Sequence, residues 1–566
     1  MMWGSGKSQN FKSIILFSSF VFFASCKEQE VATDTLPQGD SSSSAQDQPS
    51  LPNVSEIQAM PGGGFDEEAP DAGLVGDPTK VAADQRAVGR WSTVPYQTYS
   101  SNFKIGVVAD HFHGIQKVEF SVDGGPWTAV STPQTNPETG VFEYTISLSI
   151  SDFSDGQHEI QAIVYPNHGL TRVLAGPLPS SLNTGNHSLF FSTNRDSTLP
   201  SKTVWVANDG DDVTGNGTEL KPFKTLGQAG FALANNLPGG DASGGRIYLK
   251  AGDYNLGNYS YGKRFDSLNR WITIEPAPGV SKSSARIVSA SMDGLRTDLV
   301  RLKGLTIAPT SGAPYVIRNV NNRGLVWIED CHFTSQNFDD NSSLLWFMGW
   351  KSNGQFITES TAYHVRGTPY SGALVRNTTI EFVADDAYKN AIVILNATIK
   401  NLQDHGTGHH PDVWQAWAPN GTMENFFVQN LTAIDSISAQ GLFFHGWTNL
   451  YRDGAFRDVK IDNSFNGVGT VFVNLHMHRP VQHLLFRNCI LSGGGLYRTG
   501  DDPSKPQTSH NIFSAQDMLM ENVFEDASKE NFVVPYPDGP SVLGPGTWPG
   551  TIPWLSPLGV NYTTNE

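Results

Sequence analysis

The stretch Ile394-Leu395-Asn396-Ala397-Thr398-Ile399 carries the pattern that decides the fold: an apolar run, a polar residue, and β-branched residues. The same phrase recurs as Val428-Gln429-Asn430-Leu431-Thr432 and as Leu485-Phe486-Arg487-Asn488-Cys489-Ile490. Its Asn or Asp stands at positions 396, 430, 458, 488 and 522, so the phrase returns every 28 to 34 residues. A repeat of this length predicts a solenoid, in which each repeat adds one turn with a variable loop.

The polar residue of each phrase is expected at a corner of the solenoid. Asn tolerates the left-handed backbone, and Asn side chains on successive turns can hydrogen-bond in a ladder, so we interpret these residues as structural. Cys331 and Cys489 each follow a corner residue. Turns stack about 4.8 Å apart, and several turns put two Cα atoms far beyond the roughly 7 Å that a disulfide spans. We therefore expect two free, buried thiols.

The composition favours β-structure and argues against one class of partner. The 566 residues include 11% aromatic and only 16% charged residues, which is too few charges for a chain of long helices. The formal net charge of -17 offers no basic face for phosphate groups, so a nucleic-acid partner is not expected. An anionic sugar stays compatible, because a local pocket of His, Arg or Ca²⁺ can reverse the field.

Residues 1–25 are expected to be a bacterial lipoprotein signal peptide, with an apolar segment over 14–23. The run Phe23-Ala24-Ser25-Cys26 resembles a lipobox. The resemblance implies cleavage before Cys26, lipidation of that residue, and attachment to a membrane through the acyl chains. By the same resemblance, Lys27 after the Cys favours the outer membrane and the cell surface.

Two further segments precede the solenoid. Residues 26–87 are rich in Ser, Asp, Pro and Gly and are expected to be a disordered tether. Residues 88–198 contain short alternating strands separated by turns such as Asp123-Gly124-Gly125 and Asp155-Gly156, which predict a small β-sandwich. The phrase Val118–Trp127 resembles bacterial immunoglobulin-like (Ig-like) domains found beside secreted carbohydrate enzymes. We expect this domain to be a spacer without a binding role.

Residues 199–566 open with a more specific series of motifs. An apolar strand with a Gly/Asp-rich turn spans Val204–Asp212, and a strand closed by a Gly-Asp turn spans Arg246–Tyr254. Between them, Thr225 and Gln228 form a capping box for a short amphipathic helix. The series resembles the N-terminal cap and first turn of the pectate-lyase-like right-handed parallel β-helix superfamily. The resemblance implies an all-β protein: a right-handed single-stranded parallel β-helix preceded by the small β-sandwich.

The densest chemistry lies in the stretch 405–417, His405-Gly406-Thr407-Gly408-His409-His410-Pro411-Asp412-Val413-Trp414-Gln415-Ala416-Trp417. Strands are predicted at 413–417, 441–445 and 470–478. Because side chains alternate along a strand, every second residue points away from the core. The residues expected on this outer face, on successive turns, are Gln415, His445, Asn474, His476 and His478.

This face is expected to bind and cleave a polysaccharide. The predicted catalytic residues are His405, His410, Asp412 and His445. Indole faces stack on sugar rings, and amides, imidazoles and guanidinium groups bind their polar edges. The residues predicted to bind substrate are Gln415, Trp414, Trp417, Trp447, Asn474, His476, His478, Arg479 and Arg452.

The leading hypothesis is a lyase that cleaves an anionic, uronic-acid-containing polysaccharide by β-elimination. This reaction needs a group to neutralise the substrate carboxylate, a base and an acid. Gln415, Asn474 and Arg479 are candidate neutralisers, and His410 or His445 is the candidate base. The residues kept in reserve for the base are Tyr451, Arg452 and Lys460.

Two alternatives stay open. A glycoside hydrolase would use two carboxylates, and the candidates are Asp404, Asp412, Asp435 and Asp453. A surface protein could instead bind glycan without cleaving it. Zinc is disfavoured, because Gly and Pro break any helix through the His residues, but Ca²⁺ would suit the oxygen ligands of Asp385, Asp386 and Asp404. No other cofactor is expected, and the protein is expected to be a monomer.

Overall fold

The structure is a computed structural model of the chain. The residues it describes are 86–174, 176, 188–199, 201–236, 244–256, 270–289, 299–308, 325–334, 355–365, 372–402, 411–416, 422–435, 440–444, 450–462, 473–477, 481–492, 495–498, 518–524 and 541–542. Cys26 and the predicted signal peptide and tether lie outside these ranges. No helix within these ranges has the length and apolar character needed to span a bilayer.

The first strands of the described chain form two sheets. Their bounds are β1 Val88–Trp91, β2 Thr98–Tyr99, β3 Phe103–Asp110, β4 Ile115–Val122, β5 Thr128–Val130, β6 Gln134–Thr135, β7 Phe142–Leu148, β8 Gly156–Pro166, β9 Arg172–Val173 and β10 Ser188–Thr193. One sheet has the order β1-β3-β7-β6, and the other has the order β2-β10-β8-β4-β5 with β9 beside β8. Apolar side chains from both sheets, among them Ile105, Phe120 and Phe191, share one core.

The rest of the described chain is built from strands and one α-helix. The helix α1 spans Leu226–Asn236, and short 3-10 turns span Ile150–Asp152 and Lys282–Ser284. The strands are β11 Thr203–Val206, β12 Arg246–Leu249, β13 Gly252–Asn255, β14 Ile272–Pro276, β15 Ala285–Ser289, β16 Leu299–Lys303, β17 Thr306–Ile307, β18 Leu325–Glu329, β19 His332–Thr334, β20 Gln355–Thr358, β21 Thr361–Val365, β22 Leu374–Val383, β23 Tyr388–Lys389, β24 Val393–Leu402, β25 Asp412–Ala416, β26 Thr422–Ile434, β27 Gln440–Phe444, β28 Leu450–Arg457, β29 Lys460–Asp462, β30 Val473–Met477, β31 Val481–Ser492, β32 Gly495–Arg498, β33 Met518–Phe524 and β34 Ser541–Val542.

These strands pair in parallel columns. One column runs β12-β14-β16-β18-β20, and a second runs β13-β15-β17-β19-β21. The longer strands β22, β24 and β26 continue both columns, so the two form one sheet. A third column, β23-β25-β27-β30-β32, is a separate sheet. The described chain is therefore all-β apart from α1 and the 3-10 turns, and successive repeats lie side by side in register.

A line of residues with left-handed backbone marks the corner between the first two columns. Its members have φ between 51° and 56°, and they are Asp330, Glu359, Asn377, Asn396, Asn430, Asp458 and Asn488. Asn396 Nδ2 donates to Asn377 Oδ1 at 2.8 Å, and Asn430 Nδ2 donates to Asn396 Oδ1 at 2.9 Å. The predicted corner position and side-chain ladder of Asn are confirmed. Asn and Asp predominate here because their short polar side chains tolerate this backbone and can bond neighbouring polar groups.

Cys331 and Cys489 each follow a residue of this corner. Both are buried and free, as predicted. Burial raises the pKa of each thiol to about 12, so both stay protonated and unreactive at neutral pH.

A continuous apolar core lies inside the columns. It includes aromatic side chains from successive repeats, among them Phe333, Phe426 and Phe456, all fully buried. Leu226 and Leu233 of α1 join the same core, which agrees with the predicted amphipathic helix. The backbone N–H of Gln228 donates to Thr225 Oγ1 at 3.2 Å, which is one half of the predicted capping box.

A second apolar cluster joins the sandwich to the long sheet. From the sandwich segment it takes Val88, Val94, Tyr96, Val108, Phe112 and Val141; from the repeats it takes Trp271, Leu299, Leu325, Trp327, Phe356, Leu374, Val393, Leu395, Phe427, Ala455 and Leu485. Trp271 also donates its indole N–H to the carbonyl of Pro95 at 2.8 Å. The cluster extends over many repeats, so the sandwich is packed along the long sheet. The absence of a binding role in this domain stays a prediction.

Buried charges reinforce this junction. Arg172 of the sandwich segment bonds Asp453 of β28 at 2.8 Å, and His483 of β31 lies 3.0 Å from the same carboxylate. Asp110 of β3 accepts a hydrogen bond from Arg487 of β31. Charges buried in this way require partners, so these contacts select one docking position for the sandwich.

Candidate active site

The third column brings two carboxyl groups together. Tyr388 pairs with Trp414, and Lys389 with Gln415. The same register puts Asp386, just before β23, beside Asp412, the first residue of β25. The Ala387 N–H donates to the Asp412 carbonyl at 2.8 Å, which extends the ladder to this point. The two carboxyl groups therefore owe their proximity to parallel strand pairing.

A small network of hydrogen bonds surrounds the pair. Asp386 Oδ1 accepts the backbone N–H of Asp412 at 3.2 Å, and Asp386 Oδ2 receives the Lys389 ammonium at 3.0 Å. Gln415 Nε2 donates to Asp412 Oδ2 at 2.8 Å. Asp386 is 1% exposed, Asp412 0% and Gln415 5%, so these three side chains are buried, whereas the Lys389 side chain is 12% exposed.

This environment raises the pKa of Asp386 to about 7. Burial is the largest cause, because it penalises the charged carboxylate, and the charge of Asp412 and the hydrogen bond between the two side chains act in the same direction. The Lys389 ammonium opposes them but does not outweigh them. Burial and the neighbouring Asp412 charge therefore both favour the protonated form of Asp386.

The predicted outer face is only partly as expected. Leu442 and Phe444 point into the core, as the alternation predicted. Gln415, however, aligns with Phe443 and then with His476, not with His445 and Asn474. The Gln415 and Phe443 side chains are buried, at 5% and 3% exposure, so this side of the strands is covered where open substrate contact was predicted.

Trp414 is wrongly predicted as a substrate-stacking residue. Its indole is fully buried, and its Nε1–H donates to the Ala391 carbonyl at 2.9 Å. It packs against Phe426, Phe444 and Phe456 with ring centroids 5.3 to 5.6 Å apart. Trp414 pairs with Leu442 of the next strand. Paired residues point to the same side of a parallel sheet, so both side chains lie in the core.

Other candidates also have structural roles. Tyr451, a reserve base, is fully buried and donates to the Ala416 carbonyl at 2.7 Å. Asp453, a hydrolase candidate, is occupied by Arg172 and His483. Arg452 stands on β28 in the long sheet, where its guanidinium bonds Glu424 at 2.6 Å. The structure therefore places none of these three with the Asp386–Asp412 pair.

Several predicted residues cannot be placed. His405, His410, His445, Trp417, Trp447, His478, Arg479 and Asp404 lie outside the described residues. Asn474 and His476 belong to β30, for which the backbone is described.

The calcium site stays a prediction. Asp386 is bonded to the Lys389 ammonium at 3.0 Å, and Asp404 lies outside the described residues. Among the described residues, no group of three or more His, Cys, Asp or Glu side chains could hold a metal ion. Asp385 is buried beside Asp386.

The sequence alone predicts Asp386 only as a metal ligand and does not distinguish Lys389. The signal was available in Asp385-Asp386-Ala387-Tyr388-Lys389, but it acquires meaning only when Tyr388 is aligned with Trp414. That alignment comes from the pairing of β23 with β25, and neither strand belongs to the repeated Asn/Asp phrase.

Comparisons with known proteins give limited similarity. No family model matches the chain, and none of the curated proteins compared with it matches. Among solved structures, the chain is similar to the GH136 lacto-N-biosidase from Eubacterium ramulus, in a selenomethionine derivative and in a native form. The alignments have 9% and 10% identity and TM-scores of 0.26 and 0.24, and each covers 57% of this chain and 68% of that chain. Similarity at this level assigns neither fold nor function to the chain.

Proposed function

We propose that this chain is a polysaccharide-cleaving enzyme whose proton donor is the Asp386–Asp412 pair. The observation that carries the proposal is a carboxyl pair sealed from water, in which the pKa of Asp386 is raised to about 7. Protonation of a leaving glycosidic oxygen needs an acid that still holds its proton near neutral pH. Strongly shifted carboxyl groups of this kind concentrate at catalytic sites.

The fold is the second part of the proposal. We infer that the three parallel columns are the three faces of a right-handed parallel β-helix. The support is the repeat spacing, the corner ladder, and the resemblance of the first strand and helix to the cap of the pectate-lyase-like superfamily. Through that resemblance, a polysaccharide is the substrate class.

The two carboxyl groups act as one acid–base unit. They stand in register on neighbouring parallel strands, which lie about 4.8 Å apart, so the charge of Asp412 bears directly on Asp386. The proton is assigned to the pair as a whole, and the Lys389 ammonium, 3.0 Å from Asp386 Oδ2, limits the negative charge of the pair. The group that activates water, or removes a substrate proton, must come from another residue. The His405–His410 segment directly precedes Pro411 and Asp412 in the sequence and supplies the candidates.

Hydrolysis is the reaction that the described part of this site favours. Elimination requires a positive or hydrogen-donating group to neutralise a substrate carboxylate. The ammonium of Lys389 is already paired with Asp386, and the carboxyl pair would repel a uronate. β-Elimination is the second candidate, because the Gln415 amide and the shared proton are both hydrogen-bond donors. In either reaction, substrate reaches the pair only after a change of conformation uncovers it.

The proposal includes the location of the protein. Lipidation at Cys26 would attach a monomeric enzyme to the outer membrane, with the polysaccharide outside the cell. The support is the resemblance of Phe23-Ala24-Ser25-Cys26 to a lipobox.

The test is an activity assay with isosteric variants. The protein is incubated with neutral polysaccharides and with alginate, pectate, ulvan and glycosaminoglycans, while new reducing ends and the ultraviolet absorbance of unsaturated uronates are measured. Hydrolysis produces reducing ends without absorbance. Asp386→Asn and Asp412→Asn should each lower turnover about 10²- to 10⁴-fold, and wild-type turnover should decline above about pH 7 as the shared proton is lost.

Asp152→Asn is the matched control, because Asp152 is an exposed residue of the sandwich segment with no predicted catalytic role. Full turnover of a folded Asp412→Asn variant would refute the assignment of the pair. A rise in the ultraviolet absorbance of unsaturated uronates as cleavage begins would identify the reaction as β-elimination. Binding without any product, over the whole substrate panel, would favour a glycan-binding surface protein.

A further inference from the structure

A cleft of about 500 Å³ lies at the start of the repeats, at the ends of β11, β12 and β14. Its lining includes one aromatic residue, two carboxylates, one amine and a small apolar floor: Trp205, Asp209, Glu219, Lys250, Pro278 and Val280. Between β14 and β24 the long sheet advances five strand steps, which is roughly 24 Å at about 4.8 Å per step. One sugar residue therefore cannot touch both this cleft and the Asp386–Asp412 pair.

Backbone hydrogen bonds hold the walls of the cleft. Trp205 is fixed from both sides, because its N–H donates to the Gly217 carbonyl and its own carbonyl accepts the Phe223 N–H, both at 2.9 Å. The Lys250 N–H donates to Val206 at 3.0 Å, and the Val280 N–H donates to Ala277 at 2.9 Å. A site with walls held in this way loses little entropy when a ligand binds.

The loop that forms one wall is also attached to the next strand. With its side-chain amide oriented to satisfy both groups, Asn208 donates to the Asp253 carbonyl at 3.1 Å and accepts the Asp253 N–H at 3.2 Å. A smaller cleft of about 250 Å³ lies on the other side of Asn208. The two clefts are therefore separated by a fixed side chain and form a pair of adjoining compartments.

The groups in the larger cleft match the two kinds of surface on a pyranose ring. The indole of Trp205 is half-buried and braced by Tyr248, with ring centroids 5.0 Å apart, and Pro278 and Val280 add apolar surface. A sugar ring has an apolar C–H face that packs on such a surface. The carboxylates of Asp209 and Glu219 accept hydroxyl hydrogen bonds, and the Lys250 ammonium donates them.

The charges decide which sugar fits. Two carboxylates and one ammonium leave the cleft with a net negative charge, so a uronate or sulfated sugar would be repelled. A divalent cation is a poor alternative, because no cluster of three or more His, Cys, Asp or Glu ligands occurs among the described residues. We propose that this cleft is a glycan-binding site for an uncharged sugar residue, separate from the Asp386–Asp412 pair.

The site goes beyond the proposed function, because it requires neither hydrolysis nor elimination. It would hold a neutral part of a long glycan against the first repeats, so that the chain extends along the protein.

The experiment measures binding in a variant that does not consume the probe. In an Asp412→Asn background, isothermal titration calorimetry is carried out with cellohexaose, xylohexaose, mannohexaose and galactohexaose as neutral probes and with trigalacturonate as the anionic probe. At least one neutral hexaose should bind, and Trp205→Ala should weaken that binding at least tenfold. Glu219→Gln and Lys250→Ala should weaken it at least threefold.

The variants are chosen so that misfolding does not decide the result. Trp205 packs on Tyr248, so its removal could loosen the first strands, whereas Glu219 and Lys250 lie outside the apolar core. Tyr363→Ala is the control, because Tyr363 is 39% exposed and does not line this cleft; it should leave the affinity unchanged.

Three results would overturn the site. They are no binding of any neutral hexaose, binding that all three cleft variants leave unchanged, and tighter binding of trigalacturonate than of the neutral probes. Failure of the proposed catalytic pair is recognised separately, by full turnover of Asp412→Asn, and the titrations are then repeated with thioether-linked hexaoses that cannot be hydrolysed.

Discussion

Asn425 of β26 pairs with Gly89 of β1 in the way that one strand pairs with another. Its Oδ1 accepts the Gly89 N–H and its Nδ2 donates to the Gly89 carbonyl, both at 2.9 Å. Gly89 is required at this position, because an added Cβ would lie 2.7 Å from Val164 Cγ2. The Asn425 side chain therefore joins the long sheet to the sandwich by making the two backbone hydrogen bonds that a neighbouring strand would make.

Asn425→Ala should destabilise the protein by about 2–4 kcal/mol, because it leaves the buried N–H and C=O of Gly89 unsatisfied. Asn425 also has a positive φ of 55°, so part of any effect could come from the backbone. Asn401→Ala controls for this, since Asn401 has φ 52° and no contact with the sandwich among the described residues. Urea unfolding measures both variants, and equal losses of stability would show that the bridge to Gly89 contributes nothing.

Asp453→Ala should cost about 3–5 kcal/mol, because it leaves Arg172 buried at the junction without its carboxylate. The Asp453 and Arg172 side chains are 7% and 11% exposed, so solvent does little to replace the lost contact. Asp435→Ala is the matched control: Asp435 shares the left-handed backbone, with φ 55°, but is exposed. Calorimetric unfolding should show a lower transition temperature for Asp453→Ala only. A loss of the same size in both variants would contradict the role of the ion pair.

Trp414→Ala should destabilise the protein by about 3–5 kcal/mol, as expected when a fully buried indole is replaced by a methyl group. Trp414→Phe should cost less, because the ring contacts are largely kept and the main loss is the hydrogen bond to Ala391. Denaturant unfolding of the two variants gives the comparison. An unchanged stability for Trp414→Ala, with weaker binding of glycan, would restore the stacking role predicted from the sequence.

The contrast between the corner residues and the strand residues explains what could be predicted. The Asn at 396 and 430 was identified as structural because backbone geometry at a corner is a local demand, and it is met by the same residue type in every repeat. The position of Trp414 depends instead on which strand lies beside it, and loops of unequal length obscure that pairing. Asp386 and Asp412 are 26 residues apart in the sequence, so their proximity could be recognised only from the aligned strands.

The Asp386–Asp412 pair should also make stability depend on pH. The pKa of Asp386 is raised in the folded protein to about 7, from an ordinary value of 3.8, so between these values the folded state holds a proton that the unfolded state releases. Its contribution to stability is therefore full below about pH 4 and is lost as the pH rises through about 7. The slope is at most about 1.4 kcal/mol per pH unit.

Asp386→Asn should remove this dependence, because the amide does not titrate, and it should be relatively more stable than the wild type above pH 7. Urea unfolding between pH 4 and 8 measures the difference between the two curves, and Asp435→Asn should follow the wild type throughout. A difference between Asp386→Asn and the wild type that stays constant over this range would mean that the buried pair holds no proton near neutral pH, and the proton donor of the proposed reaction would then have to be another residue.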